Sequence, residues 1–203
     1  MSYQLLKQDI LFYQRFLKSN GFYNGDLDGM WGAITNKADA DFVAQSNYLA
    51  DQFGTYDKRS ESNIITLVPK AQIQARKFLQ ISRDNNMDAR IISGTRTYDE
   101  QEVLYSQGRN ERPGQIITNA KGGQSNHNFG IAWDIGIFDN TGKYVTDDEK
   151  YISLSTIVLA ILDSLEWGGN WHSFKDYPHY QLKAISEDVV LVRQLFEDGN
   201  VYV

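Results

Sequence analysis

The stretch Ser125-Asn-His-Asn-Phe-Gly-Ile-Ala-Trp-Asp134 decides how the rest of the chain is read. From Gly130 to Phe138 the residues alternate. Ile131, Trp133, Ile135 and Ile137 share one face of a period-two strand, while Ala132, Asp134 and Gly136 share the other. The first is a core face. On the second, Asp134 is the only charged group, and its neighbours are too small to cover it. A carboxylate in so apolar a strand is costly to bury unless it is paired or bound to a metal. His127 lies seven residues upstream, and His179 follows in Asp176-Tyr-Pro-His-Tyr-Gln181. Neutral imidazole and carboxylate are common zinc ligands, and two His plus one acid leave a fourth position open for water. The chain has three histidines, and two of them fall in these two frames. Each residue alone has a plainer reading: an Asp that pairs with a nearby Arg or caps a turn, and a His satisfied within the fold.

Composition narrows the options. At 203 residues the chain suits one catalytic domain plus a small module, and it can bury a sizeable core. With no cysteine, disulfides and thiolate metal sites are excluded, so any metal must be held by His, carboxylates or carbonyls. The net charge of −6 argues against a nucleic-acid binder that works through a basic face, and against electrostatic attachment to an anionic membrane or wall polymer. Met1 to Phe16 lacks the charged start, apolar run and small-residue cleavage site of a signal peptide, and no run approaches a membrane span. The expectation is a protein made in the cytoplasm without a visible export signal and without membrane insertion.

Taken in order, residues 4–18 carry Leu5, Leu6, Ile10, Leu11, Phe12, Phe16 and Leu17 at helical spacing, closed by Asn20-Gly21. Asn24 to Gly29 is turn-rich, and Thr35 is placed to cap a second helix running to about Gln45. Gln45 to Asn63 is polar and reads as a linker, which puts a domain boundary near residue 60. A helix is expected over 68–86, a short strand over 89–93 and a helix over 98–107. Arg109 to Gln124 forms a long connection of the kind that is often functional. A turn at Asp139 to Gly142 precedes a helix from Asp147 to Leu165. Trp167-Gly-Gly169 reads as a tight turn, Tyr180-Gln-Leu182 as a strand carrying His179, and 186–196 as a closing helix.

The frame Ser125-x-His127-x-x-Gly130-x-Ala132-x-Asp134, with Asp176-x-x-His179 downstream, resembles the signature of zinc-dependent peptidoglycan peptidases related to D-Ala-D-Ala carboxypeptidases. Within that family it is most similar to the L-alanyl-D-glutamate endopeptidases found as phage endolysins. The similarity extends to Ser93-Gly-Thr-Arg-Thr97, Leu104 to Arg109, Pro113-Gly114, Thr118 to Lys121 and Trp167-Gly-Gly169, so it covers roughly 68–182 in order. The resemblance implies an α+β catalytic domain over 61–203, a small antiparallel sheet with helices, in which His127, Asp134 and His179 hold Zn2+. Asp176 then acts as the proton carrier, and Arg96 points into the cleft to bind a substrate carboxylate or steady the oxyanion. The plainer alternatives are a turn residue for Asp176 and a surface cation paired with Asp99 or Glu100 for Arg96. Ser125 orients His127 or the following loop, Trp171 and Tyr180 line the groove or pack in the core, and His172 reads as an exposed loop histidine. Gly21-Phe-Tyr-x-Gly25 and Asp28-Gly-x-Trp-Gly32-x-x-Thr35 resemble small helical peptidoglycan-binding domains, so 1–60 is read as an all-α N-terminal module and linker.

The implied activity is hydrolysis of a stem-peptide amide of bacterial peptidoglycan, L-Ala-D-Glu in this branch, by a monomer released to the wall as in phage lysis. The rivals are a D,D- or L,D-carboxypeptidase that trims terminal D-Ala and a non-catalytic wall-binding protein. A metal-dependent nuclease fits least, given the acidic chain.

Overall fold

A computed structural model describes residues 7–109 and 113–203. The order of elements is α1 (Lys7–Ser19), α2 (Ala33–Phe53), α3 (Lys58–Ile64), α4 (Pro69–Asp84), β1 (Asp88–Ser93) and α5 (Tyr98–Ser106). There follow β2 (Ala132–Phe138), β3 (Tyr144–Val145), α6 (Asp148–Ile161), β4 (Leu165–Trp167), β5 (His179–Leu182) and α7 (Val189–Glu197). The fold is α+β with a small antiparallel sheet, as the sequence implies. The chain divides into two compact units, one of residues 7–45, Arg96–Phe129 and Ala184–Tyr202, the other of Ser46–Thr95, Gly130–Lys183 and Val203.

The first unit is helical, and its core is aromatic. Phe196 of α7 packs against Phe12 of α1 at 5.2 Å between ring centroids, and against Phe129 at 5.4 Å. The Tyr202 hydroxyl, wholly buried, donates to the Phe129 carbonyl at 2.6 Å. Helix α1 ends as its sequence predicts. The Gly21 amide bonds the Lys18 carbonyl and the Phe22 amide the Leu17 carbonyl, with Gly21 at φ +80°, a doubly bonded glycine cap. Leu5 and Leu6, expected on this helix, lie outside the described residues. The buried Gln14 then clasps the Asp28–Gly29 loop to α1. Its Nε2 donates to Asp28 Oδ1 and the Met30 carbonyl at 3.0 Å each, and its Oε1 accepts from the Gly29 amide at 2.8 Å.

The second unit holds the sheet. Its strand order is β1-β2-β5-β4, with β3 paired to β2. β2 is central, and both its faces are covered apart from Asp134 and Phe138, which is why its alternation carries so little polar residue. Trp133 stacks on Tyr180 with an interplanar angle of 13°. Helices α3 and α4 pack on β1, and α4 on α6. Tyr151 of α6 pins β2 to β3, since its hydroxyl accepts from the Ile137 amide and donates to the Val145 carbonyl.

Three elements differ from expectation. α2 starts at Ala33 and runs to Phe53, so Thr35 lies buried inside the helix rather than capping it, and most of the polar stretch from Gln45 is helical. The buried stripe is Ala38, Phe42, Ser46 and Leu49, and the serine interrupts the apolar signal without interrupting the 3.6-residue period. α6 stops at Ile161, and Leu165 belongs to β4; Leu162 and Leu165 simply continue the helix's apolar spacing in the sequence. α7 starts at Val189 with Asp188 as its cap, three residues later than the spacing suggests.

Arg76 of α4 is wholly buried. It donates to Glu61 of α3 through both Nη atoms, at 2.9 and 2.8 Å, and to the Gly54 carbonyl at 2.7 Å. Replacing Glu61 by Ala strands a buried guanidinium. The expected loss in chemical denaturation is roughly 3 kcal/mol, the low end for a broken buried pair because Glu61 keeps partial solvent access. A loss under about 1 kcal/mol would mean that water reaches the guanidinium.

Candidate metal centre

Strand register sets the first pair of ligands. Asp134 of β2 stands directly opposite His179 of β5 in an antiparallel ladder. The Asp134 Oδ1 and His179 Nδ1 atoms are 3.3 Å apart, with the His179 side chain nearly closed to solvent. The ladder continues past β5, the Ile135 amide donating to the Pro178 carbonyl at 3.0 Å. One wall of the imidazole is the Trp171 ring, 4.9 Å away. Gly168 forms another close approach: a Cβ there would stand 2.5 Å from the Asp176 carbonyl oxygen and 3.1 Å from His179 Cβ. A side chain at 168 would therefore displace the turn that carries both Asp176 and His179. That turn is closed by the His179 amide on the Asp176 carbonyl at 3.2 Å, and Asp176 itself is half-buried.

His127 sits on a single 3-10 turn, Asn126–Phe129. Ser125 begins that turn; its Oγ accepts from the His127 amide at 3.4 Å and its carbonyl from the Asn128 amide at 2.9 Å. Ser125 thus bonds the backbone of the turn that carries His127. The buried Asn128 ties the turn down. Its Oδ1 accepts from the Gly123 amide and its Nδ2 donates to the Arg96 carbonyl, at 2.9 and 3.0 Å. Arg96 faces His127. Its backbone amide donates to the His127 carbonyl at 3.1 Å, its Nη2 lies 3.4 Å from His127 Nε2, and its Nη1 donates to Gln101 Oε1 at 3.2 Å. Glu100, one of the two carboxylates the sequence offered to Arg96, closes the capping box of α5 with Thr97.

His127, Asp134 and His179 each offer a ligand atom, and these atoms all lie within 4.8 Å of one another. Two imidazoles and a carboxylate at that spacing suit a divalent ion of the zinc type, with an open position for water. His172 is exposed and stands outside this group. Tyr180, offered by the sequence to groove or core, is core: it is wholly buried among Phe78, Trp133 and Trp167. It alternates away from His179 along β5, so it cannot share that residue's face.

Sequence reasoning passed over four supporting residues: Asn128, Gln101, Gln181 and Glu166. Gln181 was within reach, because a residue two beyond a ligand on a strand shares its face. Its partner Glu166 required knowledge of β4.

Residues 118–182, which include all three ligands, match the family model described as D-alanyl-D-alanine carboxypeptidase. The resemblance read in the sequence is thus borne out over this segment. Among curated relatives, the chain is 38% identical over 106 residues to the peptidoglycan L-alanyl-D-glutamate endopeptidase CwlK of Bacillus subtilis (strain 168), an alignment covering 49% of this chain and 63% of that protein. It is 28% identical over 130 residues to the L-alanyl-D-glutamate peptidase of Listeria phage A118, covering 62% of this chain and 41% of that one. The chain therefore spans less than two thirds of either relative. Among solved structures, the Serratia marcescens L-Ala D-Glu endopeptidase ChiX matches with a TM-score of 0.49 and 23% identity, over 63% of this chain and 89% of that one.

Electrostatics at His179 pull in opposite directions. Burial lowers its pKa, but the hydrogen bond and charge of Asp134, with smaller help from Gln181 and Asp176, outweigh burial and raise it. A His whose folded pKa is raised stabilises the metal-free protein fully below its unfolded value, and that contribution is lost as pH rises through the folded value. A metal ion requires the opposite state, a deprotonated Nδ1. Divalent-metal affinity should therefore keep rising as pH climbs above about 6.5, the ordinary imidazole value, with protons released on binding. Isothermal titration in buffers of differing ionisation enthalpy reads both quantities. A flat affinity with no proton release would contradict the assignment of His179 as a ligand.

Proposed function

We propose that this protein is a zinc-dependent peptidase that hydrolyses a stem-peptide amide of bacterial peptidoglycan, the L-Ala-D-Glu bond. The observation that carries the reading is the gathering of His127, Asp134 and His179 within 4.8 Å, inside a segment similar to a peptidase family. The names of the two curated relatives support the choice of bond. A zinc ion bound by these three residues would polarise the scissile carbonyl and acidify a water. The proton of that water then has to be taken up and delivered to the leaving amine. Asp176 suits this task, half-buried on the turn that ends in His179. Arg96, fixed by Gln101 beside His127, offers a permanent positive charge to a substrate carboxylate or to the developing oxyanion. Trp171, half-buried against His179, supplies an aromatic wall.

Residues 1–60 are proposed as the wall-binding module. The reading is supported by the Asp28–Gly29 loop, clasped to α1 by Gln14. The partner is then the wall polymer itself, at which the enzyme acts as a monomer after its release to the wall. No described helix is long and apolar enough to cross a membrane.

Two tests follow. Purified peptidoglycan digested by the zinc-loaded protein should release stem peptides with a new free D-Glu amine, seen by mass spectrometry and absent with chelator. Loss of terminal D-Ala alone would move the reading to a carboxypeptidase, the activity in the matched family's description. In the second, Asp176→Asn should keep stoichiometric zinc while turnover falls by roughly 10²- to 10⁴-fold, the usual contribution of a general acid–base group. Unchanged turnover would remove Asp176 from the mechanism.

A further inference from the structure

Behind His179 lies a directed chain of hydrogen bonds that leads away from the ligand set. His179 Nε2 is 2.9 Å from Gln181 Oε1, and Gln181 Nε2 donates to Glu166 Oε2 at 2.7 Å. Strand register builds this chain. Gln181 stands two residues beyond His179 and so shares its face of β5, and it is paired directly with Glu166 across the β4–β5 ladder. On its other side Gln181 pairs with Ala132, which is too small to compete for its amide.

The direction of the chain is fixed by its outer end. A carboxylate can only accept, so the Gln181 NH2 must face Glu166 and its carbonyl must face His179. A carbonyl can only accept as well, so His179 Nε2–H is the donor to Gln181. Nδ1, 3.3 Å from Asp134, is the ring edge turned to the metal group. An amide buried to this degree in a strand could be replaced by an apolar side chain at little cost if packing were its only duty. Here both ends of the amide are used, and used in series.

We propose that Gln181 and Glu166 are positioning residues that hold the His179 ring with its Nε2–H on Gln181 and its Nδ1 turned toward Asp134, the edge at which a metal ion would be met. The proposal deepens the metallopeptidase reading and rests on it for its consequence, but the Nε2–H bond itself can be read without metal. Outer partners of this kind orient the ring and raise its basicity as a ligand. Glu166 acts through Gln181.

The experiment uses the full chain, metal-free and 15N-labelled. 1H–15N spectra of the imidazoles are assigned against His179→Gln. The wild-type His179 should show an exchange-protected Nε2–H, whether or not Nδ1 also carries a proton to Asp134. In Gln181→Leu that proton should lose its protection, and zinc affinity measured by chelator competition should fall roughly 10- to 100-fold. The exchanged pair Gln181→Glu with Glu166→Gln keeps an acceptor toward His179 and a donor toward residue 181, so it should restore both the protected Nε2–H and the affinity. Gln181→Glu alone sets two carboxylates against each other and should not. A wild-type His179 with no protected proton on Nε2, or a Gln181→Leu protein with native circular dichroism and zinc affinity within about twofold of wild type, would overturn the proposal. Because the Nε2–H is read in metal-free protein, it decides the relay even if the wild type bound no zinc. That second result would count against the functional reading instead.

Discussion

Asp134 faces His179 across two neighbouring strands, and the other features of the centre follow from that pairing. The side-chain period of a strand is two, so a slip of one residue in the β2–β5 register would turn His179 into the core and bring Tyr180 to its place. The core is arranged to forbid the slip. Tyr180 stacks on Trp133 and packs on Phe78, and Ile131, Ile135 and Ile137 are buried along β2. Burial of these large side chains is worth on the order of 1.5–3 kcal/mol each. Hydrophobic packing thus specifies the position of two polar groups. The polar layer adds orientation: Gln181 and Glu166 on one side of His179, and Trp171 against its ring.

His127 is held by different means. It belongs to a turn with no strand register to fix it, and side-chain caps do that work. Ser125 starts the turn and Asn128 bonds both flanking segments. Arg96 brings a positive charge to the edge of this histidine, its Nη2 lying 3.4 Å from His127 Nε2. The two histidines are therefore served unequally by their surroundings, one by an adjacent carboxylate and one by an adjacent guanidinium.

The candidate ligands were legible because β2 is so apolar that a lone Asp has few physical excuses, and because the histidines are few. The sheet's central strand, the turn at Asp139 to Gly142 and the helix cap at Gly21 were legible for the same reason: strong period or strong turn chemistry. What sequence reasoning missed lacked such signals. Ser46 sits in the buried stripe of α2 and disguises it, and Leu165 prolongs the apparent apolar spacing of α6 past its end. Glu166 could not be matched to Gln181 without the strand that Leu165 concealed. Tyr180 was ambiguous in sequence because a tyrosine serves equally as a groove wall or a core slab; its burial decides the matter.

The central claim is that three side chains bring a zinc ion to one place. It is tested most directly by elemental analysis of the exhaustively dialysed full-length protein after zinc loading, alongside His127→Ala, Asp134→Ala and His179→Ala. The account predicts one zinc per chain in the wild type and a large loss of bound zinc in each variant, with circular dichroism unchanged. A wild type that retains no zinc, or a His179→Ala protein that retains it in full, would contradict the account.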